Sequence, residues 1–200
     1  MSKGARTRAS ILQAAVEMAC LNGLAGVSLQ PLADRVGMTK SGLYAHFGSK
    51  EALQLATLES ATERFLETVV APSKGAAPGL PRLEDLYERW LAWPGNAGLP
   101  GQCPFFAAAD EFDDADGPVR ERLERTFREF RQVSEQLIAS AVRHGHLPPG
   151  TDPEQWFHEL MALRQAHHWA AGFMRDGKAL ERSRAGFDRL AARRRPVRPE

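Results

Sequence analysis

Apolar residues recur along this chain at spacings of three and four almost throughout. Ile11, Leu12, Ala15, Val16, Ala19 and Cys20 form a helical stripe that stops at Asn22-Gly23. Ser28 is placed as an N-cap for the short helix "LQPLADRV", and Gly37 ends it. Pro31 falls in that helix's first turn, where a missing N–H costs little. Thr39 then predicts a cap for a second short helix running to about Phe47. Ser49 caps a longer one, with Glu51 near its positive end and Leu53, Leu55, Leu58, Ala61, Phe65, Leu66 and Val69 along one side.

The stretch "APSKGAAPGLP", residues 71–81, predicts a loop, and "RLEDLYERWLAW", the loop "PGNAGLPGQ" and "CPFFAAADEFDD" follow. A long amphipathic helix begins after Gly117-Pro118, with Val119, Leu123, Phe127, Phe130, Val133, Leu137 and Ala141 on its apolar side. Asp152-Pro153 starts "DPEQWFHELMALRQAHHWAAGFMRDG", and a final helix runs from Lys178 to about Arg193, into the tail "RRRPVRPE". There is no period-two strand pattern, no internal repeat and no glycine-rich phosphate loop. The pattern predicts an all-α chain of about nine helices. The last two long helices are apolar on much of their circumference, which predicts burial on two sides, the second against another copy of the chain as a homodimer.

Composition narrows the class. With 200 residues, 43% hydrophobic and 26% charged, the chain is long enough for a sizeable core and is not disordered. No apolar run approaches the ~20 residues of a membrane span, and the polar, basic start "MSKGARTRAS" has no signal-peptide core. Cys20 and Cys103 are far apart and lack metal-ligand spacing, so free thiols and a cytoplasmic location are expected. The net charge of +1 is unevenly spread: residues 1–50 carry six basic and two acidic groups, the remainder 20 and 23. A basic head on a mildly acidic body predicts that the head meets a polyanion.

Residues 28–47 give the head its chemistry. Leu32, Ala33 and Val36 face inward from one short helix, Gly37 turns the chain, and Met38, Leu43 and Phe47 anchor the next. Two short helices about a glycine turn make a helix-turn-helix, whose second helix enters the DNA major groove. Weak anchoring fits a helix with one face left exposed. Gly42 allows close approach, and Thr39, Lys40 and Ser41 can reach base edges or phosphates from the leading turn.

The string "VSLQPLADRVGMTKSGLYAHFGSKEAL", with its L-A-x-x-x-G, G-x-L-Y-x-H-F and S-K-E-x-L, resembles the DNA-binding motif of the tetracycline-repressor (TetR) family of bacterial transcriptional regulators. The likeness is strongest over residues 5–55, and "GQCPFFAAADEFDDADGPVRERL" is similar to the sensor domain of one subset of that family. The resemblance implies a three-helix DNA-binding domain at residues 1–50, with its motif at 28–47, and a larger helical ligand-binding and dimerisation domain at 51–200. It implies that Gln30, Thr39, Lys40, Ser41 and Gly42 face the groove and that Tyr44 and His46 sit at the DNA backbone. Lys50 then meets a phosphate beside the fourth helix's positive N-terminus, and Arg6 and Arg8 grip flanking phosphates. Pro31 departs from the polar residue often found there, which puts the reach of Gln30 in doubt. The implied function is a dimeric regulator, a repressor released from a palindromic operator by a small molecule.

The second domain's candidate ligand residues are Trp90, Trp93, Phe105, Phe106, Phe127, Phe130, Met161, His168 and Trp169, with Trp156 beside them; ordinary core packing is the competing reading for each. No cofactor is expected. Glu154 and His158 share a helical face near His144, His146, His167 and His168, but no repeated Glu-x-x-His pair accompanies them, so no metal site is assigned. Cys103 stands at a helix start, where a thiolate is favoured, which leaves redox sensing as a minor option. The "RRRPVR" tail is an accessory candidate for DNA contact. Two other classes stay open: a DNA-binding regulator controlled by a protein partner, and a small helical metal-dependent enzyme.

Overall fold

The computed structural model describes residues 3–93 and 95–192. Among those residues the chain is helical, without strands, as the periodicity predicts. Nine α-helices follow one another: α1 Lys3–Asn22, α2 Leu29–Val36, α3 Lys40–Phe47, α4 Lys50–Phe65, α5 Leu80–Leu91, α6 Pro104–Glu111, α7 Pro118–Arg143, α8 Pro153–His168 and α9 Ala179–Ala192. A π-helical segment, Leu66–Val70, and a last turn, Ala71–Ser73, extend α4, and a second π-helical segment, Trp169–Phe173, extends α8.

The predicted caps have an identifiable chemistry. The Thr39 hydroxyl accepts from the Gly42 N–H at 3.1 Å, and Ser49 accepts from Ala52 at 3.0 Å. Ser28 has the extended backbone of an N-cap but makes no side-chain cap bond. Gly37 ends α2 in the left-handed region at φ 67°, which a side chain would disfavour. The predicted loop at 71–81 is shorter in the structure, because helix covers Ala71–Ser73 and resumes at Leu80. Pro81 sits in the first turn of α5, where no N–H is needed, and Pro72 falls in the short turn that follows the π-helical segment, so two of the residues that marked the loop are compatible with helix. The final helix is described to Ala192, and the "RRRPVRPE" tail lies outside the described residues.

The chain divides into two compact units. The first comprises residues up to Thr68 together with Trp93–Phe127. In it α1 packs on α2, α4 and α6, and α2 and α4 pack on α3. Ile11, Ala15, Val16, Leu24, Leu32, Ala33, Leu43 and Leu53 are buried at its centre. Eight-residue helices are unstable alone, so α3 depends on this packing. Burying Leu43 and Phe47 contributes roughly 3–6 kcal/mol, enough to seat one short helix. Phe65 meets Trp93 edge-on at 5.4 Å between ring centroids and Phe105 at 5.9 Å.

The second unit comprises Val69–Ala92 and the residues from Arg128 onward. Here α8 and α9 pack together closely: a Cβ at Gly186 would lie 2.5 Å from Cδ2 of Leu163. Tyr87 stacks on Phe187 at 5.0 Å, and Trp156 meets the same ring edge-on at 5.8 Å. Arg164 is buried, and its Nε donates to the Trp90 carbonyl at 3.1 Å. That carbonyl lies in the last turn of α5, where the helix dipole favours a cation.

Candidate nucleic-acid interface

The third helix presents two distinct faces. Leu43 and Phe47, four residues apart, are buried, while Lys40, Ser41, Tyr44 and Ala45 are exposed. Tyr44 is 56% exposed, unusual for an aromatic ring with no core role. Thr39 is held at the leading end by its bond to Gly42, and its hydroxyl also lies 3.2 Å from Ser41 Oγ. A Cβ on Gly42 would come 3.1 Å from Thr39 Oγ1, so the absent side chain also leaves room for the cap.

The other expected contacts are placed as follows. Gln30 is exposed on α2, with its side-chain nitrogen donating to Asp34 at 2.7 Å. His46 is half-buried, its ring 6.2 Å from that of Phe47. Lys50 opens α4, and its Nζ donates to the Ala25 carbonyl in the α1–α2 turn at 2.8 Å. Arg6 is exposed. Arg8 is turned inward: its Nη1 donates to the His46 carbonyl at 2.9 Å, and its guanidinium covers the Phe47 ring.

The two acidic groups of this region are both engaged. Glu17 pairs with Arg35 at 2.8 Å, and hydrogen bonds from Gln13 and then Arg35 hold its carboxyl below the usual carboxylate range. Asp34 accepts from Gln30. The exposed side of α3 therefore carries hydroxyls, an amine and a phenol with no carboxylate of its own. Such a surface can donate to phosphate oxygens and base edges. Sequence reasoning passed over Ala45, which lies exposed one turn beyond Ser41. The i, i+4 spacing was the available signal, but a small apolar residue gave no chemical cue.

The aromatic candidates separate between the two units. In the first, Trp93, Phe105 and Phe106 are buried and Phe127 is half-buried, with Phe106 and Phe127 at 6.1 Å. In the second, Trp90 is buried against Phe130 at 4.6 Å, and Phe130 lies 6.3 Å from Phe157. Met161 lines a surface groove with Arg131, Asp152, Phe157 and His158. His168 is half-buried, whereas Trp169 is exposed on the π-helical segment beside Phe173. Among the described residues no cluster of His, Cys, Asp or Glu could hold a metal ion, and no helix is long and apolar enough to cross a membrane. Cys20 and Cys103 are buried and form no disulfide, and burial pushes the Cys20 thiol pKa up to about 12.

Comparison with known proteins matches this architecture. The family model for bacterial regulatory proteins of the tetR family covers residues 11–57, and the tetracyclin repressor-like C-terminal domain covers residues 79–187. The chain is 26% identical over 148 residues to the HTH-type transcriptional regulator SrpR of Pseudomonas putida, across 73% of this chain. It spans 66% of the length of that curated relative. A TetR transcriptional regulator from Chloroflexus aurantiacus J-10-FL superposes with a TM-score of 0.84 at 25% identity, covering 96% of this chain and 95% of that one. AibR, solved in complex with isovaleryl coenzyme A and operator DNA, shares the fold with a TM-score of 0.67 at 22% identity, over 88% of this chain and 93% of its own. The helix-turn-helix and more than half of the chain thus fall within one family, and the chain belongs to the TetR family of bacterial transcriptional regulators.

Proposed function

We propose that this regulator is a cytoplasmic, ligand-responsive homodimer that binds a palindromic operator as a repressor. The carrying observation is the exposed row on α3, donors without a carboxylate, set over the buried pair Leu43 and Phe47. In this reading residues 1–50 act as the DNA-binding domain and residues 51–200 sense the effector and dimerise. Gln30, Thr39, Lys40, Ser41 and Gly42 face the major groove. Ala45 lies beside them, suited to a thymine methyl. Tyr44, His46 and Lys50 meet the phosphates. Phosphate contacts dominate affinity, because a helix of eight residues carries few base-reading side chains.

Dimerisation through the last two long helices is supported by an open groove in which Ala162, Leu163, Gly186, Leu190 and Ala192 form an apolar floor beside Glu159 and Arg189. Trp169, Phe173 and Met174 extend that apolar character. A dimer reads two half-sites about 34–36 Å apart, and a small molecule that favours another spacing releases it by population shift. The aromatic residues of 51–200 suit an apolar or aromatic portion of such an effector. The fold neighbour AibR carries an acyl coenzyme A together with operator DNA, which supports an effector-and-operator mode of action.

Selection of bound duplexes from a random library by the purified protein tests this reading. An enriched inverted repeat supports it; absence of enrichment at low salt without effector overturns direct operator reading.

A further inference from the structure

The α1–α2 turn, against which Lys50 rests, is itself held from a distant part of the chain. The Ala25 N–H donates to Oε2 of Glu111 at 2.8 Å, across 86 positions of sequence. The Ala25 carbonyl accepts from Lys50 at 2.8 Å. One residue of the turn thus receives a carboxylate on one side and an ammonium on the other.

Two glycines make room for this arrangement. Gly23, at φ +75°, has the Glu111 carboxylate where a side chain would stand: a built Cβ would fall 1.5 Å from Oε1. Gly101, at φ +70°, lies against the end of α1, with a built Cβ 2.5 Å from the Cys20 carbonyl oxygen. The Gln102 N–H donates to that same oxygen at 3.3 Å. A helix leaves its last carbonyls and the following N–H groups in need of partners. Here residues 101–111 supply them, gripping the end of α1 at both of their own ends. All these residues belong to the first compact unit.

From this geometry we infer that Glu111 is a positioning residue for DNA binding, fixing the α1–α2 turn and through it the Lys50 ammonium. The inference rests on the proposed role of Lys50 at a phosphate. A carboxylate so near a DNA-binding amine is unfavourable for direct DNA contact, so the contribution of Glu111 lies in holding the turn rather than in touching the duplex. A carboxylate accepting a backbone N–H makes one of the stronger hydrogen bonds available. Leu24 and Val27 are buried and the Leu24 carbonyl accepts from Gln54 at 2.9 Å, so the loss of Glu111 loosens the turn at Ala25 rather than unfolding it.

The test uses the full chain as wild type, Glu111→Ala and Glu111→Gln, with thermal melting to establish folding. Hydrogen exchange at the Ala25 amide reads the turn, and affinity for the duplex selected by wild type reads the DNA-binding state. Glu111→Ala is expected to speed Ala25 exchange and to weaken duplex binding about tenfold, within the span usual for coupling between sites. Glu111→Gln, whose amide oxygen still accepts the N–H, is expected to restore most of both. Unchanged exchange, unchanged affinity in Glu111→Ala, or no rescue by Gln overturns the inference. Should Glu111→Ala fail to fold, Glu111→Asp, one methylene too short to reach, replaces it with the same expectations. If wild type selects no duplex, the proposed function fails, while Ala25 exchange still decides whether Glu111 holds the turn.

Discussion

The guanidinium carbon of Arg8 lies 4.5 Å from the centre of the Phe47 ring, and its Nη1 donates to the carbonyl of the neighbouring His46. A residue near the start of α1 thereby closes the C-terminal end of α3, where the helix dipole favours a cation. The ring that anchors α3 is covered by the same group that binds its last turn.

Arg8→Ala is therefore expected to destabilise the protein by about 1–2 kcal/mol, combining a partly exposed cation–π contact with a charged hydrogen bond. In a chain of this size that is a fall of roughly 2–8 °C in melting temperature. Arg8→Lys keeps the charge but lacks the planar fork, and is expected to recover only a part. A Lys variant melting like wild type would instead assign Arg8 a purely electrostatic role.

Thr39→Ala removes the hydroxyl that accepts from Gly42, at a cost of about 1 kcal/mol. Thr39→Ser retains the acceptor and is expected to stay near wild type. Chemical denaturation of the three proteins provides the comparison, and equal midpoints would show that the cap contributes nothing.

Lys50→Ala separates stability from binding. Its bond to Ala25 is exposed, so melting is expected to change little. Duplex affinity falls, and the slope of log K against log salt drops by about 0.9 for each lost phosphate contact, roughly 2 for a dimer. Tyr44→Ala, at another exposed position, is expected to weaken binding with the dimer intact. Unaltered affinity in both variants contradicts their assignment to the interface.

Burial lowers the His167 pKa below 6.5, and its Nδ1 lies 3.1 Å from Ser183 Oγ. The folded state thus prefers the neutral ring. As pH falls through 6.5 the unfolded chain takes up the proton first, so stability is lost on acidification from there downward. His167→Gln is expected to flatten the fall in melting temperature between about pH 7 and 5. An identical pH profile in wild type and variant would exclude His167 as its source.

Local chemistry was what the sequence could reveal. Thr39 and Ser49 cap as expected because capping depends on residues two or three positions away. The exposed and buried faces of α3 follow from helical spacing. The positions of Arg8 and Glu111 do not, since their partners lie 38 and 86 residues away and no short pattern encodes such pairs. The π-helical segments at Leu66–Val70 and Trp169–Phe173 also escaped, because they interrupt the 3.6-residue repeat without a proline to mark them. For the aromatic residues of 51–200 the sequence left both pocket and core open, with core the more ordinary reading; the structure brings Trp90 to Phe130 and Phe106 to Phe127 as ring contacts.

The first compact unit has a consequence for how such regulators are recombined. Because it takes in Trp93–Phe127 as well as the N-terminal helices, a single crossover after residue 68 leaves part of it behind. A chimaera carrying only the N-terminal piece on a foreign body inherits Gly23 without Glu111, and the end of α1 without Gly101. Three crossovers, transplanting 93–127 as well, keep both halves of each contact. The unit that holds the helix-turn-helix is thus compact in space and divided in the gene.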